Sequence, residues 1–136
     1  MAVLAFISGR VEVNGVDMSQ YAASAELQLD GVKLDTTNFG TAGWETAIGG
    51  LKSGSVKVKF NNDFAATTVD DRLFPLFNTV VTFKLRPTQA AISATNPEYQ
   101  MSVLINSLAP VAGSVGDLLT QDLTWPVSGT VTRAVV

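Results

Sequence analysis

The sequence predicts a mainly β chain, a β-sandwich or barrel-like fold with one short flanking α-helix, and three observations carry that reading. Apolar residues recur with a period of two in five separate segments. Those segments are short and punctuated by Gly, Asn and Pro. Only residues 67–77 switch to a helical spacing. No internal repeat or linker divides the 136 residues, so they are expected to form one domain.

In chain order, Met1 to Gly9 is short and apolar, an N-terminal arm or edge strand. Asn14-Gly15 lies between Val11, Val13 and Val16, a hairpin signal because both residues tolerate positive φ. From Ala23 to Asp30 the odd positions are apolar and the even ones polar. Asp30-Gly31, between Leu29 and Val32, predicts a second tight turn. Leu34 to Leu51 is a long Gly-rich loop carrying Phe39 and Trp44. Aromatic residues on a loop either fold back as a lid on the core or anchor a partner. Ser55 to Phe60 and Val81 to Arg86 alternate cleanly.

Between them, Thr67 or Thr68 offers a helix cap, and Asp70 and Asp71 follow in the first turn, where the helix dipole favours acids. Val69, Leu73, Phe74 and Phe77 make the apolar stripe, and Pro75 ends or kinks the helix. Arg86-Pro87 and Asn96-Pro97 bound strands around an exposed stretch at 87–96. Tyr99, Met101, Val103 and Ile105 share one strand face, as do Leu119, Leu123 and Trp125 near the end.

Composition removes most chemistry. The chain has no Cys and no His, hence no thiolate nucleophile or metal ligand and no imidazole base. Ser and Thr are plentiful, but no spacing supplies an activating base. Gly49-Gly50-Leu51-Lys52-Ser53 resembles a phosphate loop only superficially, because Leu51 interrupts the Gly-Lys-Ser run. Asn61-Asn62-Asp63 and Asp70-Asp71 lack calcium-loop spacing and read as turn and cap residues. Lys52, Lys57, Lys59, Lys84 and Arg86 could form a positive stripe or a solvated face. A net charge of −3 lacks the basic footprint of a nucleic-acid binder. The expectation is a protein that is not an enzyme and has no cofactor.

Charged residues are only 15%, where soluble domains average about 25%, and mean hydropathy is +0.26. The longest uncharged run, the 18 residues from Tyr99 to Gly116, contains Pro, Gly and several amides and hydroxyls, so no spanning helix and no membrane insertion are expected. No basic residue precedes the apolar opening, so residence in the cytoplasm is the default expectation. The deficit concentrates after Pro87, where 50 residues carry only Glu98, Asp117, Asp122 and Arg133 as charges. Strand faces of Ser, Thr, Asn and Gln suit contact with further copies of the same chain.

The segment from Leu34 to Val56 resembles the tail tube (major tail) proteins of long-tailed bacteriophages. Asp35-Thr36-Thr37, Gly43-Trp44 and Gly50-Leu51-Lys52-Ser53 carry the likeness. The following strand, the short helix with Leu73-Phe74-Pro75-Leu76, and the later Val111 to Asp117 and Thr124 to Gly129 segments agree in arrangement. The resemblance implies a β-sandwich with one flanking helix, whose copies form hexameric rings stacked into a tube that DNA traverses without specific binding. It implies that the long loop and the terminal arm touch neighbouring subunits, making Phe39, Trp44, Phe6 and Ile7 candidate contacts. It implies an acidic bore, and Glu26, Asp30, Glu98 and Asp122 occupy outward alternation positions. Implied partners are further copies, the tail-terminator, tape-measure and baseplate proteins; the implied location is the virion tail, assembled in the host bacterial cytoplasm. The alternatives are the tube of a type VI secretion or contractile injection machine, or a monomeric capsid-decorating or carbohydrate-binding sandwich.

Overall fold

Alternation in the sequence becomes two antiparallel sheets packed face to face, described over residues 3–136 in a computed structural model. β1 (Arg10–Val13) and β2 (Val16–Asp17) form the predicted hairpin, with φ of 53° at Asn14 and 81° at Gly15. β3 (Ala22–Asp35) and β4 (Ala47–Asn61) are long partners. α1 (Val69–Leu73) follows and tightens into a 3-10 turn over Phe74–Leu76. β5 (Val80–Arg86), β6 (Glu98–Leu104), β7 (Thr120–Pro126) and β8 (Thr132–Ala134) complete the chain. One sheet has the order β2-β1-β5-β6-β8 and the other β3-β4-β7. No helix among the described residues is long and apolar enough to cross a membrane.

The inward faces interleave Val11, Val13, Phe83, Met101 and Val103 from one sheet with Val56, Val58, Phe60, Leu123 and Trp125 from the other. Trp125 is fully buried at the centre. Its ring meets Phe83 edge-on, with centroids 6.3 Å apart, and its indole N–H donates to the Ser107 carbonyl at 2.9 Å. Buried Gln121 donates to Asn62 Oδ1 and accepts the Ala109 N–H, while Asn62 donates to the Pro110 carbonyl at 2.7 Å. Those bonds occupy the amide groups of Gln121 and Asn62 and hold the 105–119 segment against the sandwich. On one side the two sheets join: Val127 donates to Gly54 O and bridges to Val103, and Ser128 donates to Ser102 O at 2.8 Å.

Four expectations are corrected here. Asp30 and Gly31 make no turn; they lie inside β3 opposite Ser53 and Lys52. The register then jumps, from Gly31 opposite Lys52 to Lys33 opposite Gly49, so β4 carries one extra residue and the glycine marks a bulge. The connection within the segment 34–51 is shorter than expected: residues 36–46 join β3 to β4, and both ends of the segment are strand. Phe74 and Phe77 leave the helical stripe and are 65% and 52% exposed, while Val69 and Leu73 stay buried. Pro75 forces the tighter 3-10 pitch after Leu73, which rotates the following side chains off the core. At the helix start Thr68 places its hydroxyl on the Asp63 and Ala65 carbonyls instead of capping, and Asp71 accepts the Thr67 N–H.

Candidate assembly surfaces

The β3–β4 pair has two halves with different neighbours. From Ala22 to Leu29 it is part of the three-stranded sheet, with Ala25 and Leu27 packed toward the core. β7 leaves the ladder at Ser55, so from Asp30 to Asp35 and from Ala47 to Ser53 the pair continues as a two-stranded ribbon for about 20 Å. Its apolar residues change sides at Gly31. Core-facing residues are odd-numbered up to Leu29, whereas Val32 and Leu34 are even-numbered, with Ile48 directly opposite Leu34. The ribbon therefore presents Val32, Leu34 and Ile48 on the side away from its own core. All three are exposed, as is Leu51 beside the bulge. A free two-stranded ribbon with such a surface gains stability by packing against something else.

The ribbon tip is tightly bonded. Asn38 Oδ1 accepts the Gly40 N–H at 2.8 Å, Asn38 O accepts Thr41 N–H, and Thr41 O accepts Trp44 N–H at 3.0 Å. Ala42 and Gly43 follow in the left-handed region, with φ of 52° and 85°. Thr36, Thr37 and Thr46 hydrogen-bond across the neck, and Lys33 pairs with Glu45. Hydrogen bonds from Thr37, its hydroxyl first and its backbone N–H second, hold the Asp35 carboxyl below the usual carboxylate range. This frame holds Phe39 fully in solvent and leaves Trp44 77% exposed. Neither side chain reaches the core, which does not fit the lid role.

Met1 and Ala2 fall outside the described residues. The arm from Val3 to Gly9 lies beside β3 and forms no strand. Ile7 is exposed, and half-exposed Phe6 roofs an apolar cavity of about 530 Å³ lined by Ala25, Leu27, Leu29, Leu85 and Tyr99. Gly9 sits under the Phe6 ring, so a side chain at this position would displace that ring.

Three of the four predicted acids share a surface. Glu26 and Asp30 on β3 and Asp122 on β7 project from the outer face of the three-stranded sheet, with Lys57 opposite Glu26 and Lys59 opposite Asp122. Three carboxylates against two lysines leave this face at −1. Glu98 is corrected: it is only 4% exposed, with Oε2 2.9 Å from Arg86 Nε and Oε1 accepting Gln100 Nε2–H. The Arg86–Glu98 approach is a charge contact, and Arg86 directs its Nη1–H to Ala90 O at 2.7 Å. Alternation within β6 cannot reveal a cation supplied by β5 and covered by the 87–96 loop.

The lysine stripe also dissolves. Lys57 and Lys59 belong to one sheet and Lys84 and Arg86 to the other, where Lys84 lies opposite Glu12. Among the described residues no acid cluster suits a metal ion.

The accessible surface totals 8578 Å². A globular monomer of this mass exposes about 6,800 Å², so this chain carries an excess of roughly 1,700 Å².

No family model and no curated protein match the sequence. Two solved structures share its fold nearly end to end. A chain in the virion of a native gene transfer agent particle superposes with a TM-score of 0.77 at 17% identity, covering 97% of this chain and 99% of that one. A chain in the tail of the empty gene transfer agent particle, solved with C6 symmetry, superposes with a TM-score of 0.69 at 17% identity, covering 92% of each.

Proposed function

We propose that this chain is a structural protein of a phage-like virion tail, and that its copies form six-membered rings stacked into the tail tube. The observation that carries the reading is the ordered ribbon, which displays Phe39 and Trp44 in solvent and has its apolar side turned away from its own core. A solitary domain pays for such a surface in solubility; a subunit that inserts it into a neighbour does not. The end-to-end fold likeness to chains of a virion and of a tail with C6 symmetry supports the same reading. Phe6 and Ile7 on the arm are further subunit contacts in this account.

The open edges of β3 and β7 let the three-stranded sheets of adjacent copies approach side by side around a bore. Glu26, Asp30 and Asp122 then face the lumen, and their slight excess over Lys57 and Lys59 keeps passing DNA from adhering. Tail-terminator, tape-measure and baseplate proteins are the expected partners, with assembly in the host bacterial cytoplasm. Negative-stain microscopy of the purified chain at increasing concentration is expected to show rings and tubes. A monodisperse monomer at every soluble concentration would overturn the proposal.

A further inference from the structure

We infer, resting on the tube reading, that the arm (residues 3–9) guards the open edge of β3 in the single copy, that Gln89 latches it there, and that lifting it precedes the joining of two copies through that edge. The apolar cavity under Phe6 is lined by Glu26 as well as by Ala25 and Leu27. A second cleft of about 420 Å³ lies between residues 6–9 and Ala22, Ala23, Ser24 and Ala25. Successive strand residues point to opposite faces, so a segment that shares cavities with both parities runs along the edge and over neither face. β3 has β4 on one side and no strand on the other. A free edge of 14 residues is a template for indiscriminate pairing, and a covering segment is one way in which folds prevent it.

The arm is held lightly. Among the described residues, one hydrogen bond ties it to the rest of the chain, from Gln89 Nε2–H to Gly9 O at 3.0 Å. Val3 and Ile7 are exposed and Phe6 is half-exposed, so little apolar burial adds to that bond. Gln89, by contrast, is presented by a fixed loop. Ala90 O accepts from Arg86 Nη1–H at 2.7 Å and from Asn96 Nδ2–H at 2.9 Å, and buried Asn96 accepts the Thr88 N–H. The latch therefore does not depend on the arm for its own position. The arm makes no ladder with β3, whereas the open edge of β7 in a second copy can. The edge is closed to loose contacts and yields to a partner that supplies a set of backbone bonds.

Gln89→Ala tests the latch without touching the core, because Gln89 is exposed. In the purified monomer, chymotryptic cleavage after Phe6 is expected to run about fivefold faster, the effect of losing one net hydrogen bond, with the melting temperature unchanged. An unchanged cleavage rate would overturn the latch. At a concentration that supports assembly, the same variant should form tubes about fivefold sooner, and tubes that form no sooner would overturn the guard.

The chain has no Cys, so Ile7→Cys/Ala23→Cys, two positions on the same cleft, can be bridged at dilution by a bis-maleimide. Bridged chains are expected to stay single, while chains capped with N-ethylmaleimide assemble. Bridged chains that assemble as readily as capped ones would overturn the guard. A wild-type chain that never assembles would overturn the tube reading and the guard with it, while the cleavage ratio still decides the latch.

Discussion

Trp44→Ala is expected to raise the concentration at which copies assemble about 30-fold, equivalent to about 2 kcal/mol per junction, with the melting temperature unchanged within about 2 °C. The separation of the two effects follows from geometry. The indole is 77% exposed in the single copy, so folding gains little from it. The bond that shapes the tip there is made by the backbone N–H of residue 44 to Thr41 O and survives the substitution. Binding a neighbour, by contrast, removes a large aromatic surface from water, the situation in which one side chain dominates an interface. Sedimentation velocity over a concentration series, paired with calorimetry, measures both quantities. Unchanged assembly with a fall of more than about 5 °C in melting temperature would return Trp44 to a core role.

Trp125→Ala acts on the other side of the balance. It should lower unfolding free energy by about 4 kcal/mol and the melting temperature by on the order of 10–15 °C. The side chain is fully buried between the sheets, and its removal leaves a void beside Phe83 as well as a Ser107 carbonyl without its donor. A loss of that size is a large share of the 5–15 kcal/mol that holds a domain together. Urea unfolding of the monomer checks it, and a loss below about 1 kcal/mol would contradict the packing described here.

The two tryptophans also show how far the sequence could be read. Trp125 belongs to an unbroken alternation with Leu123, and period-two patterning placed it in the core because a strand with one buried face has no other arrangement. The same logic identified Val56, Val58, Phe60 and Phe83. It failed where a long-range partner decides. Asp30-Gly31 has turn chemistry, yet Ser53 and Lys52 on β4 offered a continuing ladder, and the glycine became part of a bulge. Glu98 has the parity of a solvent-facing residue, yet Arg86 from the neighbouring strand and the 87–96 loop enclose it. The change of apolar side at Gly31 was visible as a shift from Leu27 and Leu29 to Val32 and Leu34, but its meaning required knowing that the strand ran on. Exposure of Phe39 and Trp44 likewise needed the hydrogen-bonded tip, since loop composition alone fits a lid equally well.

In the proposed tube, other copies cover the apolar area that the ribbon and arm expose. Cryo-electron microscopy of the assembled particle tests this most directly. It should reveal rings of six whose Glu26, Asp30 and Asp122 faces line the bore, with each ribbon crossing to the adjacent ring. Copies attached singly to a shell, or rings with that sheet face turned outward, would contradict it.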